Sequence, residues 1–314
     1  MKVAVCITVK NEEKSISGLL DSLLGQSKKP EEIVIVDGGS TDKTIELIRH
    51  YQQKDSRIKF FGGEFSRAQG RNYAVEIVKT PIIAMTDAGC IPQKKWLARI
   101  SEPFKYKNVE MVAGFYKMMG DSPMQMAAKV FLGVTSRKFD VSFLPSTRSI
   151  AFKKSLWESV GGFPENLPDT AEDTVFNEKV ARTEAKIARV KNALVEWGMP
   201  DNLQVIITKM YNYAKGDAKS KLWITKSKGL MSHNIKLLSV FVRYLLLVGL
   251  FWEVLIKQVS PIWLISILLI YSFWAFRKVY SEEENLLAGV WGLILQYCGD
   301  FAVMAGFIAG LRGI

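Results

Sequence analysis

The chain has 314 residues, 48% of them hydrophobic, and a formal net charge of +11, enough for one large domain or two smaller ones. Its three cysteines, Cys6, Cys90 and Cys298, are odd in number and far apart, which argues against a disulfide framework or a cysteine metal site and fits a reducing compartment. Residues 238–314 hold five basic and five acidic side chains, so the excess positive charge lies in residues 1–237. A basic front ahead of a greasy tail favours an anionic membrane surface or a phosphorylated substrate as partner, and no nucleic acid.

Val3–Val9 is an unbroken apolar run with β-branched residues and reads as a buried strand. Charge follows at once in KNEE, so the N-terminus is a strand rather than a signal peptide, and the front domain is expected to remain cytoplasmic. Apolar residues at 16, 19, 20, 23 and 24 give residues 11–24 helical spacing. Ile33–Val36 is a second strand, 41–51 a second helix, 58–61 a short strand, 67–78 a helix, and 81–85 a strand ending at Thr86-Asp87. A strand over 109–118, a Met-rich helix over 123–134, a strand over 148–153 and a helix over 174–183 complete the front. Strands alternating with helices predict an α/β domain: a mainly parallel sheet with helices on both faces.

Residues 201–236 contain lysines at 209, 215, 219, 221, 226, 228 and 236, interspersed with Tyr211, Tyr213 and Trp223. A solvated helix face is the plainer reading. Next to a membrane, basic juxtamembrane helices would instead meet anionic lipids, at ~1 kcal/mol per lysine near the surface. Residues 259–276 carry no charge, and eighteen helical residues reach about 27 Å, close to the hydrocarbon thickness of a bilayer. Residues 286–311 are broken only by Asp300. Residues 237–256 include Arg243 and Glu253 and form either a span or an interfacial helix. Three spans, about 237–256, 259–276 and 286–311, keep Arg277-Lys278 on the side of the front domain, as the positive-inside tendency prefers. The expected organisation is therefore a catalytic-type domain over 1–200, basic helices over 201–236 and a transmembrane region over 237–314. Asp300 is costly in a membrane and functional by default. Its depth differs from that of Arg243 by about eight residues, or ~12 Å, which makes direct pairing marginal.

In open α/β sheets, ligands bind at the carboxyl ends of the strands. Thr8-Val9, Asp37 and Asp87 end three predicted strands. Gly38-Gly39 permit unusual backbone angles and a close ligand, while Ser40 or Thr41 is placed to cap the next helix. Capping does not account for Asp37.

Several short motifs follow in one order: Asn11-Glu12-Glu13, VDGGSTDKT, GRN at 70–72, TDAGC at 86–90, GGFPE at 161–165 and AED at 171–173. Over residues 1–200 this resembles the family 2 glycosyltransferases, with their GT-A fold. The resemblance implies a membrane-anchored, inverting enzyme that uses a nucleotide diphosphate sugar, with a lipid-linked or glycan acceptor. Thr8, Glu12 and Asp37 would then bind the base, with Gly38 letting the nucleotide approach and Arg71 nearby. The family's DxD motif falls on Asp87-Ala88-Gly89, so Asp87 remains as a ligand for Mg²⁺ or Mn²⁺ and the second acid is Gly89. Asp173, with Glu172 beside it, matches the family's general base, and Arg148 lies where the family meets sugar or acceptor. Bland alternatives are a solvated helix arginine for Arg71 and a capping box, Thr170-x-x-Asp173, for the acid. The Met stripe near 124–126 is core or, beside a bilayer, a lipid groove, which full burial of Met124 and Met126 would exclude.

Other classes fit less well. A nucleotidyltransferase needs a glycine-rich loop after the first strand, and KNEEKS supplies none. A Rossmann dehydrogenase needs G-x-G-x-x-G. A processive synthase would show QxxRW and more spans. A non-catalytic membrane scaffold is favoured only by Gly89.

Overall fold

The computed structural model describes residues 1–167, 170–225 and 232–312; Lys226 and Lys228 of the basic stretch lie outside them. The chain divides into two units, one comprising Met1–Met118 with Ser136–Gly198 and the other Met119–Thr135 with Met199–Ile314.

In the first unit the strands and helices follow the order β1 (Val3–Val9), α1 (Ile16–Leu24), β2 (Glu32–Asp37), α2 (Thr44–Lys54), β3 (Ile58–Gly62), α3 (Arg67–Ile77), β4 (Ile82–Met85), β5 (Cys90–Pro92), α4 (Trp96–Ser101) and β6 (Val109–Met119). After the segment that holds α5 (Pro123–Leu132) come β7 (Ile150–Lys153), α6 (Lys154–Ser159), α7 (Glu172–Ala181) and β8 (Lys186–Gly198). The eight strands form one sheet in the order β3-β2-β1-β4-β7-β6-β8-β5. β3, β2, β1 and β4 are parallel, whereas β7 runs antiparallel to β4 and β6, and β5 antiparallel to β8. The sheet is thus mixed, parallel only in the half built from the first four strands.

The parallel strands are apolar runs because helices cover both faces; β2 is buried at every position. One side of the core packs Val34, Val36, Ile83, Met85 and Phe152 against Ala68 and Val75 of α3, Phe176 of α7 and Phe163 from the preceding loop. Register matters for the site. Val9 pairs with Asp37 and Cys6 with Met85, so β1, β2 and β4 end on one edge.

Several boundaries differ from the sequence reading. α1 begins at Ile16 rather than at residue 11, because Asn11 takes the left-handed φ of 55° and the NEE segment forms a loop. Strands β5 and β8 and the six-residue helices α4 and α6 were not expected.

The second unit contains α5, α8 (Leu203–Ser220), α9 (His233–Leu255), α10 (Pro261–Glu283) and α11 (Leu286–Arg312). The Met-rich helix therefore groups with the tail rather than with the sheet. Its Met124 and Met126 are half-buried. The last three helices are each long and apolar enough to cross a membrane. The basic helix α8 buries Ile206, Met210, Ala214 and Ala218 and lies against α11, where glycines admit its backbone. A Cβ on Gly310 would stand 2.5 Å from the Lys215 carbonyl oxygen, and one on Gly306 would overlap that of Tyr211.

Asp300 and Arg243 do meet, Nη1 to Oδ2 at 3.4 Å. α9 starts at His233, four residues earlier than expected, so the depths differ by only about four residues or ~6 Å, which an arginine side chain spans. Asp300 also accepts hydrogen bonds from Tyr244 (3.2 Å), Tyr271 and Gln296 (2.9 Å). A carboxylate with four donors on three helices is satisfied where it lies.

Candidate active site

Two loops at the carboxyl edge are stitched together by side chains. Asn11 donates its backbone N–H to Ser40 Oγ (2.8 Å) and accepts the Thr41 N–H on Oδ1 (2.8 Å). Glu12 N–H donates to Thr44 Oγ1 (2.7 Å), and Glu13 and Asp42 bond across the same gap, Glu13 N–H to Asp42 Oδ2 at 3.1 Å. This is where the polar residues of STDKT are used. The N-cap of α2 is Lys43 without a side-chain cap, so Ser40 and Thr41 join loops instead of capping.

The Asp37 carboxylate shapes its own turn. Oδ2 accepts the N–H groups of Gly39 and Ser40 at 2.9 Å each, and Oδ1 accepts the Ser40 hydroxyl. A turn therefore does account for a carboxylate here, against the sequence argument. An oxygen can accept two bonds, so Oδ1 retains capacity for a ligand N–H. A Cβ on Gly38 would lie 2.6 Å from the Phe65 carbonyl oxygen, and Gly39 has φ +83°. Thr8 is half-buried, its methyl packed on Gly70 of α3.

The densest part of the site is centred on Arg71. This arginine is buried, not a solvated helix residue. Its Nη2 donates to Asp87 Oδ1 (2.8 Å) and Thr147 Oγ1 (2.9 Å), and its Nη1 pairs with Glu172 Oε1. Thr147 also donates to Asp87 Oδ2 (3.2 Å). Burial pushes the Asp87 carboxyl up, but the charges of Arg71, Arg148 and Arg67 outweigh it and hold the group below the ordinary carboxylate range. Glu172 goes the other way: burial, with Asp173 alongside, raises it despite Arg71. Its second oxygen, Oε2, is buried with no hydrogen-bond partner among the described residues.

Next to Arg71, Asn72 fixes the loop ahead of α7. Its Nδ2 donates to the Phe163 carbonyl and to Glu165 Oε1, both at 2.8 Å, and its Oδ1 accepts from Phe163 N–H (2.9 Å) and Trp157 Nε1–H (3.1 Å). The GRN and GGFPE motifs are thus two halves of one joint. α7 then begins at Glu172 with Ala171 as N-cap, at φ +71° and without a side-chain cap bond. The N-cap position thus falls on Ala171 rather than Thr170, one residue out of the register that a Thr170-x-x-Asp173 capping box needs. A left-handed alanine costs roughly 1–2 kcal/mol and sits directly before the Glu-Asp pair. Asp173 is half-buried, and its Oδ1 accepts the Thr174 N–H (2.8 Å).

Arg148 lies over Trp197, its Cζ 3.8 Å from the ring centroid, and near Tyr116 at 5.3 Å. Nη1 donates to Ser146 Oγ (2.9 Å). Burial first, then the Asp87 charge, pushes the Cys90 thiol up to about 12, so it stays protonated.

The structure therefore joins Arg71, Asp87 and Glu172 by direct bonds and sets Arg148 and Asp173 within electrostatic reach of them. Asp37 is bonded within its own loop. Thr147 and Asn72 were missed as partners; only their places beside Arg148 and Arg71 hinted at them. For a divalent cation, Asp87 offers a hard oxygen ligand with 28% side-chain exposure, and Gly89 offers none. Among the described residues no group of three or more His, Cys, Asp or Glu could hold a metal ion. A cation fits here only with phosphate oxygens completing its shell.

Residues 4–158 match the family described as glycosyl transferase family 2. EpsJ of Bacillus subtilis, described as an uncharacterized glycosyltransferase, is 24% identical over 206 residues, 61% of this chain and 59% of its own. The chain thus spans about three-fifths of that relative. Mannosyltransferase PcManGT from Pyrobaculum calidifontis, solved with GDP-Man and Mn²⁺, superposes with TM-score 0.68 at 17% identity, covering 94% of this chain and 86% of the other. Residues 1–349 of S. aureus TarS with UDP-GlcNAc give TM-score 0.55 at 16% identity, over 100% of this chain and 92% of that one. These solved structures share the fold.

Proposed function

We propose that this chain, whose residues 4–158 match glycosyl transferase family 2, moves a sugar, with inversion, from a nucleotide diphosphate sugar to a lipid-linked or glycan acceptor at the cytoplasmic membrane face. The observation that carries this reading is the bonded path Asp87–Arg71–Glu172, which ties a strand-end carboxylate to the Glu-Asp pair of α7. Asp173 removes the proton of the acceptor hydroxyl. The oxygen so freed bonds to the anomeric carbon while the bond to the diphosphate breaks on the opposite face. If the acceptor is a lipid phosphate, no proton needs removal and Asp173 orients it. Asp37, beside Thr8, accepts an N–H of the base, and Gly38 keeps the approach open. Arg148, stiffened by Trp197, faces the sugar or the acceptor. Mg²⁺ or Mn²⁺ bound at Asp87 would neutralise charge on the diphosphate. Neighbours solved with GDP-Man and with UDP-GlcNAc support a nucleotide sugar donor without choosing the base. Three apolar helices and the lysines of α8 support a membrane location with anionic lipids as partners.

Membranes containing the chain or Asp173→Asn, offered labelled UDP- and GDP-sugars with Mg²⁺ or Mn²⁺, test this. Transfer of label into the organic phase, lost in the variant, is expected. Gly89 favours a second reading, a scaffold that keeps the fold without catalysis; transfer or hydrolysis of any donor would exclude it.

A further inference from the structure

The missing acid at position 89 has a side chain from elsewhere in its place. Gly89 has φ +80°, and a Cβ built on it would meet one atom within 4 Å, Oε2 of Glu12, at 3.8 Å. An aspartate at 89 would extend its oxygens about 2.4 Å beyond Cβ, toward the same volume. Glu12 reaches there from the loop after β1. Its backbone N–H is held by Thr44, its carbonyl accepts the N–H groups of Ser15 and Ile16 (3.0 and 2.9 Å), and Ser15 Oγ donates to Oε2. The carboxylate is therefore oriented by the start of α1. Among the described residues, the buried hydroxyl oxygen of Thr86, one position before Asp87, has no hydrogen-bond partner.

A hard cation that binds a diphosphate needs one or two carboxylates besides the phosphate oxygens. Asp87 is one. We propose that Glu12 is the second: the cation site is divided between two strand-end loops instead of lying on one. This rests on the nucleotide-sugar reading above, and it moves Glu12 from the base to the diphosphate, where it acts through the cation. The ligand class is Mg²⁺ or Mn²⁺ together with a nucleoside diphosphate.

The test measures Mn²⁺ binding to the purified full chain by electron paramagnetic resonance, with UDP or GDP present, and nucleotide binding separately in chelator. Variants are Glu12→Gln, which keeps an oxygen for Ser15, and Glu12→Gln/Gly89→Asp, which returns an acid at a left-handed position that aspartate tolerates. Glu12→Gln is expected to weaken Mn²⁺ binding about tenfold or more, as loss of one charged ligand does, with nucleotide binding in chelator unchanged. The double variant is expected to recover Mn²⁺ binding, and thermal unfolding of both variants checks that they fold. Unchanged Mn²⁺ affinity in Glu12→Gln overturns the proposal, as does no Mn²⁺ binding by the parent chain. Loss of nucleotide binding in chelator by a folded Glu12→Gln also overturns it, because Glu12 then touches the nucleotide itself. Failure of the parent chain to bind either nucleotide, with or without Mn²⁺, brings down the nucleotide-sugar reading and this inference with it.

Discussion

Replacing Arg71 with methionine removes a cation bonded to two carboxylates of the site. Methionine retains most of the aliphatic volume, so the change is electrostatic. Asp87 keeps a partly exposed side chain and the Thr147 hydroxyl, and can regain water. Glu172 is 3% exposed and its Oε2 has no partner among the described residues, so it bears the loss. Removing one partner of a buried ion pair costs about 3–5 kcal/mol, and that is the destabilisation expected at pH 8. The sign with pH follows from Glu172. Burial holds its carboxyl above the usual value, so the folded chain binds more protons than the unfolded one. The associated stability is complete below the unfolded value of about 4.3 and is lost as pH rises through the folded one. Without Arg71 the folded value climbs further, so Arg71→Met should be much less harmful at pH 5 than at pH 8. Arg71→Met/Glu172→Gln should recover most of the loss, because an amide needs no cation. Chemical denaturation of the full chain in detergent, followed by near-ultraviolet circular dichroism at both pH values, measures this. A loss under about 1 kcal/mol at pH 8, or a double variant no better than the single, would refute the assignment of Arg71 as the counter-charge of Glu172.

Three further outcomes are expected. Gly38→Ala should destabilise the fold by about 1–3 kcal/mol, because its methyl meets a backbone oxygen that cannot step aside, and calorimetric titration should show weaker UDP or GDP binding. Ala171→Gly should gain up to about 1 kcal/mol by relieving the left-handed strain, while transfer slows as Asp173 loses its fixed position; unfolding curves and initial rates read the two effects. Gly306→Leu should separate α11 from α8, with greater protease sensitivity of the 203–220 segment and a lower unfolding temperature in detergent.

Much of the parallel half of the sheet can be read from the chain. Strands covered on both faces are bound to be apolar runs, and Val3–Val9 and Ile33–Val36 carry that signature. β8 escaped notice because Lys186, Arg189 and Lys191 interrupt it; its first half is only partly buried, so polar side chains are tolerated. Helices of six residues, such as α4 and α6, are too short to develop a period.

Sequence alone determined the membrane-length helices and the candidate acids Asp37, Asp87 and Asp173, since hydrophobic length and strand-end chemistry are local properties. Tertiary structure decided their company. Arg71 and Glu172 stand 101 positions apart, and no local pattern announces that they form a buried pair. Pairing of β1 with β2 and β4 brings the loops after those strands to one edge, which is how Glu12 comes to lie beside Gly89. α5 groups with the helical second unit for the same reason: what a helix packs on depends on where the chain carries it, and its own composition is compatible with either.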